Sequence, residues 1–151
     1  MKKILIALAF IGSLLQLGGA QTAPATGTTS DGVPQIIADG FNSFKTGSYA
    51  TAVVTWSRGS NLELDVQATT GVQNTLSHMQ NVGGSYVGPE LIKIVSLSTS
   101  TELVYVDVKY QRGMVFMCFT CMKPADKWLI TSITADADPT KILPTNILSG
   151  N

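Results

Sequence analysis

Five sulfur-bearing side chains crowd one short stretch: Met114, Met117, Cys118, Cys121 and Met122. Soft thiolate and thioether donors are what Cu(I) selects, and Cys-x-x-Cys is the form of a redox dithiol. Backbone geometry decides between chemistry and packing. On a strand, Cys118 and Cys121 point to opposite faces about 10 Å apart along the chain, past the ~7 Å limit for bridging Cα atoms. Met114, Cys118 and Met122 share a face but span about 26 Å end to end at strand rise. On a helix, positions 114, 117, 118 and 121 would line one side, and a soft-metal site would follow. Phe116, Phe119 and Thr120, framed by hairpin turns, favour the strand. The sulfur atoms are therefore assigned to core or interface, a common use of Met and Cys. No metal ligation is expected, and neither thiol is expected to pair within the chain.

Other reactive side chains are scattered. His78, the only histidine, stands two residues from Leu76, off the apolar side of its helix. It has no orienting partner in sequence and reads as a surface residue rather than a general base. Asp107 is the one acid well inside an expected strand. It alternates with Lys109 on the more polar face and reads as a solvated or Lys-paired carboxylate. Trp56, Tyr86 and Tyr110 are the candidates for a pocket mouth, against the alternative of core aromatics with their polar tips hydrogen-bonded. Gly83-Gly84 and Gly88-Pro89 lack the Lys/Ser pair of a phosphate loop. No catalytic grouping and no cofactor are expected.

The elements that must hold these residues fall in two blocks. Three short helices come first. Val33, Ile37, Phe41 and Phe44 recur at helical spacing, with Asp31 or Gly32 near the cap, Pro34 in the first turn, Lys45 in the last and Gly47 beyond it. Gly40, mid-helix, weakens this element by roughly 1 kcal/mol relative to Ala. Tyr49, Ala52, Val53 and Trp56 form a second stripe, ended by Arg58-Gly59-Ser60-Asn61. The third helix, from 64 or 66 to 82, places Val72, Leu76 and Met79 on one side. Residues 83–89 read as a loop. Four strands follow, at 90–97, 103–110, 114–122 and 128–135, joined by short turns, so a sequential antiparallel meander is expected. Val104, Val106, Val108 and Tyr110 oppose Leu103, Tyr105, Asp107 and Lys109. In the next strand Val115, Met117 and Phe119 oppose Met114, Phe116 and Cys118, and in the last Leu129 and Ile133 oppose Trp128 and Ile130. Two apolar faces need two covers. The helices supply one, and a second copy of the sheet is expected on the other.

The ends of the chain speak to its address. Lys2 and Lys3 followed by an apolar run to Leu15 and the small residues Gly18, Gly19 and Ala20 have the form of a cleaved secretory signal over residues 1–20. That apolar run is shorter than the ~20 residues a membrane helix needs, so export to the periplasm or the extracellular space is expected, with no membrane span after cleavage. Residues 21–32 read as a flexible linker, 33–136 as one domain, and 137–151, with two prolines and no period, as an extended tail. Without Lys2 and Lys3 the 10 basic residues fall to 8 against 10 acidic ones, a formal charge of −2. That is no electrostatic footprint for nucleic acid. Charged residues are only 13% of the chain, which points to surface covered by a partner.

Phe44, Gly47, Tyr49, Ala52 and Trp56 (F-x2-G-x-Y-x2-A-x3-W) and Lys123, Pro124, Asp126, Lys127 and Trp128 (K-P-x-D-K-W) stand in a helices-then-sheet order. Together they resemble the NTF2-like (SnoaL-like) superfamily over residues 33–136. The resemblance implies an α+β fold, a cystatin/NTF2-like cone in which three N-terminal helices pack on a strongly curved four-stranded antiparallel sheet. It also implies a pocket between sheet and helices, and frequent homodimers through the sheet face. Isomerase members use a carboxylate base with Tyr and acid donors, and no such trio is matched here. The expected function is a non-enzymatic binding or assembly module of unknown ligand, with a small hydrophobic molecule as one candidate. The alternatives are an isomerase- or dehydratase-like pocket enzyme and a structural subunit of a secretion or surface complex.

Overall fold

The computed structural model describes residues 27–150, so the expected signal and the first part of the expected linker lie outside the described residues. Three helices, α1 (Gln35–Thr46), α2 (Tyr49–Ser57) and α3 (Val66–Gly83), precede four strands, β1 (Tyr86–Ser98), β2 (Thr101–Tyr110), β3 (Gly113–Met122) and β4 (Leu129–Asp136). The strands pair antiparallel in the order β1-β2-β3-β4. The fold is α+β, with helices on one face of an antiparallel meander.

Local chemistry sets the helix ends. Pro34 is the cap of α1, at φ −50° and ψ 127°, just outside the helix rather than in its first turn. Ser48 starts α2 by accepting the Thr51 N–H, and the Asp65 carboxylate starts α3 by accepting the Ala68 N–H at 2.9 Å. Each side chain satisfies a donor that the helix itself leaves unmade. Gly84 closes α3 at φ 84°, left-handed backbone that suits glycine.

The inner face of the sheet is apolar from strand to strand. Val104, Val106 and Val108 of β2, Val115, Met117, Phe119 and Cys121 of β3, and Ile130 and Ile133 of β4 are all buried there. Ile37, Phe41, Val53, Trp56 and Leu76 descend on them from the helices. Trp56 is the centre of this core. It is fully buried, its indole N–H donates to the Ile37 carbonyl at 3.1 Å, and its ring meets Phe41 at 5.0 Å and Phe119 at 5.1 Å, edge to face. Gly40 makes that approach possible: a Cβ there would lie 1.8 Å from the indole nitrogen. The helix propensity lost at Gly40 is offset by a contact that no larger residue permits.

Four further expectations are corrected. Residues 86–89 belong to β1 and not to a loop, because β1 is an edge strand, where a proline takes nothing from an outer ladder. The strict alternation expected across 128–135 fails. Thr120 pairs with Ser132 but Cys121 with Ile130, so one extra residue bulges and Ile130 and Ile133 fall on the same inner face. The segment 137–151 is not extended throughout. Pro139–Lys141 form a 3-10 turn capped by Asp138, Leu143 is buried, and Thr145–Leu148 form a single helical turn. Part of the linker is also structured: Thr28 bridges Pro34, and the Gln35 N–H donates to the Gly27 carbonyl.

Replacing Gly40 with alanine is expected to cost about 1–3 kcal/mol by overpacking, despite the better helix former. Gly71→Ala, on the exposed side of α3 where a Cβ meets nothing within 4 Å, is expected to stabilise by up to about 1 kcal/mol. Paired urea melts check both signs, and a neutral or stabilising Gly40→Ala would contradict the packing described.

Candidate functional site

The clearest concavity lies between α1 and the first half of β1. The two elements run antiparallel to each other: Tyr86 stacks on Phe44 near the end of α1, at 4.3 Å between ring centroids, while Ile94 reaches Gly32 ahead of its start. Between those contacts the elements part. Ala38 is small, and register shifts flank the 88–91 stretch, so α1 spans a cleft of about 360 Å³ instead of closing on β1. Ile37, Phe41, Val106 and Leu91 give it an apolar floor and sides, with Asp31 beside one end and Lys45 beside the other. That volume lies at the low end of the range for small-molecule sites.

A second recess, about 340 Å³, adjoins the first. Lys45, Tyr86 and Val87 line both, and Ser48, Tyr49 and Gln80 give the second a polar lining. A third, between α3 and β4, is lined by Gln67, Thr75, Asp136 and Lys141 among others.

The sequence candidates separate. Tyr86 lines the first two recesses. Trp56 lines none of the three and closes the core, and Tyr110 is buried, its hydroxyl donating to the Leu76 carbonyl at 3.4 Å. Tyr86 and Tyr110 do meet, at 6.2 Å between rings. Burial pushes the Tyr86 phenol up to about 12 and raises Tyr110 as well, so both are neutral donors at ordinary pH. His78 is exposed on α3.

The sulfur cluster divides between faces. Met117 and Cys121 are buried inside, while Met114, Cys118 and Met122 lie outside, with both cysteines free. Among the described residues no group of three or more His, Cys, Asp or Glu side chains is placed to hold a metal ion. On the outer face, Lys109 pairs with Glu90. Asp107 lies beside them, its carboxyl raised mainly by burial, with Glu90 adding and Lys109 opposing.

Sequence reasoning passed over one acid. Glu102 pairs in register with Ser96 and Cys121 on the inner face, and one of its carboxylate oxygens is buried without a hydrogen-bond partner among the described residues. Starting the second strand at Leu103 instead of Thr101 left it out, although period two from Val104 back to Glu102 signals its side. It lines none of the three recesses.

No family model, curated protein or solved structure matches the chain.

Burial, with Glu102 and Cys118 adding to it, pushes the Cys121 thiol from 9.0 up to about 12. The unfolded chain therefore releases protons that the folded chain keeps once pH passes about 9, with Tyr86 following above 10. Stability is expected to hold below pH 9 and to fall as pH rises towards 12, with a shallower fall in Cys121→Ala. Urea midpoints across this range test the sign. Alkylation at pH 8 is expected to spare Cys121 until the protein unfolds, and rapid native labelling of Cys121 would contradict its burial.

Proposed function

We propose that this chain is an exported, non-enzymatic binding or assembly module of the NTF2-like (SnoaL-like) kind. In this reading it is a cone that holds a small hydrophobic ligand in the α1–β1 cleft and pairs with a second copy through its outer sheet face. One observation carries the binding reading: the cleft is bounded by Ile37, Phe41, Leu91 and Val106, and its only carboxylate among the described residues, Asp31, is exposed on the preceding turn. General acid–base chemistry on a hydrophobic substrate calls for an acid or histidine held against the reacting atoms. Glu102 and His78 lie elsewhere. Binding alone needs only a preformed apolar concavity with a few polar groups at its edge.

Pairing rests on the outer face. Tyr105 is buried and Phe116 and Cys118 half-buried there, while Met114 and Met122 remain 41% exposed. A second sheet laid over this surface would remove the remaining apolar area from water.

A neutral apolar dye, N-phenyl-1-naphthylamine, is expected to brighten on binding, and Ala38→Phe, which fills the cleft from α1, is expected to abolish the signal while leaving the circular dichroism unchanged. Dye binding untouched by Ala38→Phe would place the site elsewhere. Sedimentation equilibrium is expected to give twice the chain mass, reduced to one by Phe116→Lys, and a strict monomer at every concentration would contradict the pairing.

A further inference from the structure

The apolar cleft and the polar recess beside it share the wall formed by Lys45, Tyr86 and Val87. A molecule lying along the cleft therefore meets a change of solvent character at that wall. On one side are Ile37, Phe41, Leu91 and Val106, and on the other Ser48, Tyr49 and Gln80. The helical wall of the cleft is a single stripe of α1: Ile37, Ala38, Phe41, Asn42 and Lys45. From Ile37 to Lys45 the helix rises about 12 Å.

Charge breaks the symmetry of this groove. Lys45 stands in the last turn of α1, at the junction of the two recesses, and makes no ion pair with any described residue. Asp31 stands beside the opposite end, ahead of the helix. A carboxylate at the Asp31 end meets like charge, whereas at the Lys45 end it meets a cation and a polar recess into which it can project.

From this arrangement, and resting on the binding reading above, we propose that the natural ligand is a linear anionic amphiphile. It is a medium-chain alkyl carboxylate, its chain lying along α1 and its head at Lys45, facing the Ser48, Tyr49 and Gln80 recess. Tyr86 forms the turning point. Its ring is fixed by stacking on Phe44, and its phenol, neutral at ordinary pH like any tyrosine, adds no negative charge beside the head group. Lys45 is exposed, so its attraction for the head is modest and screened by salt.

The test displaces N-phenyl-1-naphthylamine from the full chain with dodecanoate below its critical micelle concentration and with dodecanol below its solubility limit, for the unaltered protein, Lys45→Gln and Lys45→Glu. At low salt dodecanoate is expected to bind about threefold tighter than dodecanol, the size of an exposed ion pair. The preference should shrink at high salt, fall in Lys45→Gln and reverse in Lys45→Glu. Equal affinities for acid and alcohol, or a preference that survives Lys45→Glu, overturn the anionic head while leaving the apolar cleft intact, provided Ala38→Phe still blocks dodecanol. Failure of both compounds to bind overturns this inference and the cleft reading together. Thermal melts of the Lys45 variants establish that each is folded, as expected for an exposed position.

Discussion

The indole of Trp56 presses on the bare backbone of Gly40, and the spacing of the whole helical layer follows from that contact. With no Cβ in the way, α2 closes on α1 until the indole N–H reaches the Ile37 carbonyl. The same ring then meets Phe41 and Phe119 edge to face, which ties both helices to the middle of β3. Interiors packed to crystal density tolerate little displacement, so this point fixes where α1 lies over the sheet. It holds α1 towards β3 and leaves its other flank to meet β1. There the sequence supplies Ala38 where bulk would be needed to close the gap. The α1–β1 cleft is the consequence of a tight core on one side of a helix and a small residue on the other.

The sheet divides its chemistry by face. Alternation along β3 sends Met117 and Cys121 inward and Met114, Cys118 and Met122 outward, so five sulfur atoms close together in sequence never converge in space. The outer face mixes Tyr105, Phe116 and the methionines with the Glu90, Asp107 and Lys109 charges. Such a surface has enough apolar area to favour a cover and enough charge to fix the register of one. Burial already raises the Asp107 carboxyl, and a covering sheet would deepen that effect unless it brought a donor of its own.

Much of this architecture was legible in the sequence. The stripe Tyr49, Ala52, Val53 and Trp56 marks α2, and Val104, Val106, Val108 and Tyr110 mark the inner face of β2, because one-sided burial imposes its period on the chain. The features that escaped were those where a local signal competes with a tertiary one. Gly88-Pro89 has loop chemistry but sits on an edge strand, and the bulge near Thr131 breaks the phase of β4, which strict alternation cannot anticipate. Gly40 looked like a weakness of α1, since its partner lies 16 residues away. The candidate site was the least legible part. Of Trp56, Tyr86 and Tyr110, only Tyr86 borders a cleft, because a cleft is defined by what two distant elements fail to fill, and no spacing within either element encodes that.

The proposed ligand capture uses a gap beside a core that does not move. Backbone and indole nuclear magnetic resonance during a dodecanoate titration tests this most directly. Shifts are expected to concentrate at Ala38, Lys45, Val87 and Leu91, with the Trp56 indole N–H resonance in place at saturation. Shifts centred on Met114, Phe116 and Cys118, or a displaced Trp56 indole signal, would contradict it.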